Sequence, residues 1–185
     1  MLSTMLALGS MAWALPPAPA PLTISAEETA ALSAGEVVFR DGAAGTRVAV
    51  LDVEAPPAAV MSAVMDLSPR VADIGALLSM DEYLDAPGRK GARWELGASV
   101  YSATFHVLYE YDAAQGWCVY TLDASKENDI KSTDGSYQVY AVDGGSRLVY
   151  RSQQTSSILP SWLMQKFAHD GAVELLTGIR ARAGG

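Results

Sequence analysis

The segment from Ile158 to about Arg182 constrains this chain more than any other. It carries a helical pattern that spans roughly 30 Å at 1.5 Å per residue, the diameter of a small domain. Met164, Phe167, Ala168, Gly171, Ala172, Leu175, Gly178 and Ile179 share one face; Lys166, His169, Asp170, Glu174, Thr177 and Arg180 share the other. The apolar face has to lie on something, and most of what precedes it reads as antiparallel sheet. Glycine inside a helix costs roughly 1 kcal/mol against alanine, so Gly171 and Gly178 need a reason. Close packing against a neighbouring element is one reason, and room for a ligand is another.

The strands are announced by β-branched runs and turn residues. Val37–Arg40 and Arg47–Val53 flank Asp41–Gly45, which reads as a hairpin. Its Gly-x-x-Gly-Thr lacks the lysine and following helix of a phosphate loop. Ser25 is a plausible N-cap for a short helix over 26–34, with Glu27 and Glu28 in its first turn. Pro56-Pro57 starts a helix with Val60, Met61, Val64 and Met65 on its apolar face; Ser68-Pro69 starts another that runs through Val71, Ile74, Leu77 and Leu78. After the turn Ala86-Pro87-Gly88, strands are expected at 92–97, 99–111, 117–124, 136–142 and 147–155. Their connections are mostly too short for parallel crossovers. The expectation is an α+β domain: a curved antiparallel sheet of about seven strands, two short helices, and the long C-terminal helix over a hydrophobic cavity.

Half of the 185 residues are hydrophobic, enough for a substantial core, and the net charge is −8. The lysines and arginines are scattered, which argues against a nucleic-acid partner. A single cysteine, Cys118, excludes an intramolecular disulfide and a cysteine-based zinc site; it reads as a small buried hydrophobe. Residues 1–26 carry no charged side chain. Met5–Leu15 is an apolar run too short to span a bilayer, and Ala12-Trp13-Ala14 offers a cleavage pattern. Residues 1–20 are therefore expected to be an export signal with a Pro/Ala linker, residues 21–185 the ligand-binding domain, and the protein periplasmic or secreted. No lysine or arginine precedes the run, so a mis-set start with a cytoplasmic protein, or a retained anchor, stays open.

Three segments, in order, carry a family resemblance. They are Val50–Val60 with Val64–Leu67; Asn128-Asp129-Ile130 followed by Gly135–Val139; and Leu159–Leu163 heading the closing helix. In these the chain resembles the START/Bet v 1-like (SRPBCC) superfamily, including polyketide cyclase/dehydrase-type and lipid-transport members, over roughly residues 36–182. Many relatives carry an aromatic near a Trp-x-Pro where this chain has Pro69–Leu78, so that lip of the pocket is expected to differ. The resemblance implies a helix-grip fold around a hydrophobic ligand cavity. It leaves the reaction open, because members range from lipid carriers to cyclases.

Strand alternation narrows the cavity wall. In 101–111 the odd residues Tyr101, Ala103, Phe105, Val107, Tyr109 and Tyr111 form an apolar, aromatic face; in 147–155 the even set Leu148, Tyr150, Ser152 and Gln154 looks inward. Tyr101, Phe105, Tyr109, Tyr137, Tyr150, Met164, Phe167, Gly171 and Leu175 are the candidate ligand-binding residues. The tyrosine hydroxyls would orient the polar end of a largely apolar guest, or would all be satisfied inside a packed core. No catalytic residue is assigned. His106 and His169 lie on polar faces, no Gly-x-Ser-x-Gly elbow occurs, and no cofactor or metal signature is present; the acids of 123–134 lack EF-hand spacing. The leading reading is a non-enzymatic protein that binds, and in a carrier role transfers, a lipid, sterol or other hydrophobic small molecule. A polyketide cyclase/dehydratase-type enzyme on the same fold is the alternative. A third reading has Ile158–Pro160 with Trp162-Leu163 touching a membrane transiently or a protein partner; that segment also reads as a hydrophobic staple for the helix.

Overall fold

The computed structural model describes residues 15–98, 101–156 and 161–184, without the side chains of Ala44, Ala98 and residues 161–167. Ser25 and Glu28 close a reciprocal capping box, which starts α1 (Ala26–Ser33). β1 (Val38–Asp41) and β2 (Arg47–Val53) pair antiparallel around a single 3-10 turn at Ala43–Gly45. α2 (Pro57–Met65) has proline at its first position, and α3 is one turn, Arg70–Asp73. β3 (Leu77–Ala86), β4 (Arg89–Ala98), β5 (Tyr101–Asp112), β6 (Trp117–Leu122), β7 (Ser132–Val142) and β8 (Gly145–Thr155) precede the long α4 (Ser161–Ala183).

The eight strands form one curved antiparallel sheet in the order β1-β2-β8-β7-β6-β5-β4-β3. The first hairpin is thus joined to the end of the meander through β2 and β8, with Leu51 opposite Leu148 and Val53 opposite Ser146. On the inner face, Leu51, Val53 and Leu148 pack with Val60 and Val64 of α2 and with Leu176 and Ile179 of α4. On the outer face, Val48, Val50 and Val149 lie beneath Leu32 of α1, with Leu22 and Ile24 beside them. Both faces of β2 are covered, so its residues are buried at successive positions instead of alternating.

Two expectations need correction. The sheet has eight strands instead of about seven, and the helix expected from Ser68 to Leu78 stops at Asp73. Ile74 is already extended, the Gly75 N–H bonds Glu174 Oε2 at 2.9 Å, and from Leu77 the chain pairs with β4. Leu77–Leu84 shows no strict alternation and is rich in helix formers. Its strand state comes from the β4 ladder, with two register irregularities along it.

The Pro/Ala segment lies against the sheet's outer face. The Pro16 carbonyl accepts from Trp117 Nε1 at 2.8 Å, the Pro19 carbonyl from Gln138 Nε2 at 2.6 Å, and the Leu22 N–H donates to the Tyr140 hydroxyl at 3.3 Å. At the far end of the molecule the polar side of α4 is latched too. Arg180 Nη1 donates to the Gly35 carbonyl at 2.8 Å, and Arg182 pairs with Asp73.

Candidate functional site

Between α4 and the inner sheet lies a cavity of about 80 Å³. Phe105, Val107 and Tyr109 reach it from β5 because residues two apart on a strand share a face. Trp94 and Leu96 come from β4, Tyr120 from β6, Thr133 and Tyr137 from β7, and Tyr150, Ser152 and Gln154 from β8. Ala168, Gly171, Ala172 and Leu175 form the helical wall, and Ile74 and Ala76 border the gap between α3 and β3. A methyl group on Gly171 would meet nothing within 4 Å, so this glycine opens onto space.

Of the residues picked out by pattern, Phe105, Tyr109, Tyr137, Tyr150, Gly171 and Leu175 come together around this cavity. Tyr101 does not join them: it is 40% exposed at the start of β5. The side chains of Met164, Phe167 and Trp162, and residues Ile158–Pro160, lie outside the described residues. Neither histidine is part of the wall. The His106 ring bonds the Glu127 carbonyl at 3.1 Å, and His169 stacks on Phe39 with centroids 4.4 Å apart. The acids of the β6–β7 connection hold that loop in place. Asp123 accepts from Ser125 and from the Tyr83 hydroxyl, and Asp129 accepts from the Thr104 N–H.

The wall is a cluster of tyrosines. Ring centroids lie 5.0 Å apart for Tyr137 and Tyr150, 5.8 Å for Tyr120 and Tyr137, and 5.9 Å for Tyr109 and Tyr120. The Tyr120 hydroxyl is shared between the Tyr150 hydroxyl at 3.1 Å and the Arg151 carbonyl at 3.3 Å. Burial drives the phenol pKa values up, to about 12 for Tyr109 and well above the ordinary value for Tyr120 and Tyr137. At neutral pH these groups are intact O–H donors.

Arg70 is the residue that pattern reading misses. It is fully buried, with its guanidinium 5.5 Å from the ring centres of Tyr109 and Tyr137 and 5.7 Å from that of Trp94. Nη2 donates to the Val64 carbonyl at 2.6 Å and Nη1 to the Tyr109 hydroxyl at 3.2 Å, while Nε has no partner. Among the described residues no carboxylate pairs with it. Burial works against its charge, but the oxygens of Tyr137 and Tyr109 outweigh that and hold its pKa above the ordinary value. The Trp94 indole N–H is turned toward Tyr109 without making a hydrogen bond of ordinary geometry. In sequence, Asp73 three residues on marks Arg70 as half of a surface ion pair; the fold gives Asp73 to Arg182 instead.

The site offers a mostly apolar cleft with neutral hydroxyl donors on its wall and one buried positive charge behind the rings of Trp94, Tyr109 and Tyr137. Cys118, behind the wall, is driven to a pKa of about 12 by burial and is no nucleophile.

No protein-family model and no curated protein matches the sequence. Solved structures do match. A Thermus thermophilus protein superposes with a TM-score of 0.64 at 20% identity, over 74% of this chain and 94% of its own. An aromatase/cyclase from Streptomyces sp. R1128 gives 0.64 at 12% identity, over 79% and 94%. A STAR-related lipid transfer protein from Xanthomonas axonopodis gives 0.58 at 13% identity, over 80% and 96%. With a curved antiparallel sheet, a long C-terminal helix laid across it and a cavity between them, the chain has the START/Bet v 1-like helix-grip fold.

Proposed function

We propose that the protein binds a largely apolar small molecule that carries an oxygen acceptor at one end. The observation that carries this reading is an apolar aromatic cavity with an unpartnered buried donor on its wall, Trp94 Nε1; a second, Arg70 Nε, lies behind the rings of Trp94, Tyr109 and Tyr137. A buried donor left unpaired costs roughly 1–3 kcal/mol, which a carbonyl or carboxylate oxygen on the guest would recover. Size bears on the ligand as well. Drug-sized ligands occupy pockets of roughly 300–1,000 Å³, against about 80 Å³ here. A lipid or sterol therefore requires α4 and the Ile74–Ala76 corner to separate, while a smaller guest needs less displacement. One structural neighbour named for lipid transfer supports a carrier role.

A cyclase- or dehydratase-type enzyme is the second reading, and the Tyr109–Arg70 contact favours it. A neutral phenol that donates to a carbonyl oxygen, with a fixed positive charge behind it, stabilises developing enolate charge. Export from the cytoplasm, read from residues 1–14, belongs to the proposal; N-terminal sequencing of the protein from extracytoplasmic fractions checks it.

The test is native mass spectrometry of protein purified from its own host, followed by organic extraction. A stoichiometric apolar species with an oxygen function supports binding, and an empty protein that also fails to bind an apolar dye rejects it. A Tyr109→Phe variant that binds normally but loses turnover of a poly-β-keto substrate mimic favours the enzyme; unchanged turnover removes that role from Tyr109.

A further inference from the structure

We propose that the outer face of β6, β7 and β8 is a binding surface for proline-rich, extended peptide: residues 16–22 occupy it in cis, and a proline-rich segment from another chain competes for it. Trp117 and Gln138 are direct cross-strand partners on that face, and each is only 5% exposed. Their side-chain N–H groups bond the carbonyls of Pro16 and Pro19. Those carbonyls stand three residues apart and both bond donors on the same sheet face, as the three-residue repeat of a polyproline II helix allows. Proline has no N–H, so Pro16, Pro17 and Pro19 can present only acceptors, and here the sheet meets two of them with side-chain donors. The Gln138 amide is oriented for this: Arg151 Nη2 holds its Oε1 at 3.1 Å, which leaves the NH2 for the peptide. A flat indole that also donates, beside an oriented amide, is the chemistry by which proline-rich ligands are recognised at low entropic cost. Past Pro16 the face continues as an open groove along Leu108, Val119 and Thr121.

The test uses the full chain with Pro16, Pro17 and Pro19 changed to glycine. This variant keeps every carbonyl but loses the conformational bias that seats the segment. The peptide Leu-Pro-Pro-Ala-Pro-Ala-Pro-Leu, the sequence of residues 15–22, is titrated while the Trp117 indole N–H is followed by NMR. The expected result is a saturable shift, with an apparent Kd at least about tenfold weaker in the wild-type chain, where the tethered segment competes at millimolar effective concentration. Gln138→Met in the loosened chain, which keeps the bulk and removes the donor, should weaken binding about tenfold; Trp117→Phe, read on the Gln138 side-chain NH2 instead, should do the same. No shift, or equal binding of a Gly-Ser peptide of the same length, overturns the proposal. If the loosened chain does not fold, the wild-type titration at millimolar peptide decides by the same two outcomes.

Discussion

A methyl group on Gly178 would overlap the Asp73 carboxylate, so this glycine is what allows α3 and α4 to close on each other. Asp73 is held in that position by Arg182. Gly178→Ala must therefore displace a short, ion-paired side chain, and is expected to destabilise the protein by about 1–3 kcal/mol. Gly171→Ala meets no neighbour and should stabilise the helix by up to about 1 kcal/mol while narrowing the cavity. Urea denaturation of both variants checks the contrast; a Gly178→Ala protein as stable as wild type contradicts it.

Arg70 bears on both stability and binding. Arg70→Met takes the buried donors from the Val64 carbonyl and the Tyr109 hydroxyl and should destabilise the protein by about 1–3 kcal/mol. Affinity for an oxygen-bearing ligand should drop about tenfold, the equivalent of one hydrogen bond at about 1.4 kcal/mol. Denaturation and ligand titration of one preparation test the two halves; destabilisation with no loss of affinity would leave Arg70 a structural residue alone.

Cys118 should be silent to thiol reagents. The thiolate is the reactive form, and burial drives this thiol to about 12. At pH 8 a disulfide reagent should label the native protein only at the rate of its opening, and the urea-unfolded protein at once. Rapid stoichiometric labelling of the native state would show that the thiol is reached without unfolding.

Glu28 gives the α1 contact an acid limit. Hydrogen bonds from Arg40, then from the Ser25 N–H, lower its pKa from 4.5 to about 2. Because the folded value is depressed, the unfolded chain takes up the proton first. The stabilisation is complete above about pH 4.5 and is lost as pH falls from there through about 2. Glu28→Gln should flatten this part of the stability–pH profile, and an unchanged acid limb would assign it to other carboxylates.

Much of this fold is legible from local chemistry. Ser25 with Glu28, Pro57 at the head of α2, and the Pro87-Gly88 turn with Gly88 at φ +73° mark element ends. The alternation of Ala103, Phe105, Val107 and Tyr109 identifies the inner face of β5, and the even residues of β8 do the same. The helical period of α4 likewise shows in its buried Ala172, Leu175, Leu176 and Ile179. The site was legible to the extent that it is built from those faces. Tyr120 is hidden in the sequence because Cys118, Val119 and Leu122 make β6 apolar on both faces, whereas Trp94 alternates with Arg93 and Glu95 as Ala92 and Leu96 do, so its side of β4 is legible. Tyr101 was drawn in by the alternation of its strand, yet it stands at the strand's exposed end.

Period, caps and turns follow from local sequence, because they depend on neighbours within a few positions along the chain. The tertiary structure decided whatever depends on a partner far away. β3 is a strand because β4 supplies its hydrogen bonds, and residues 16–22 lie on the sheet because Trp117 and Gln138 supply donors. Gly171 and Gly178 look alike in sequence, and only the Asp73 carboxylate beside one of them tells packing from space. Arg70 is buried because rings from β4, β5 and β7 converge on it. Burial is set by the summed surroundings of a side chain, and those exist only once the sheet has closed.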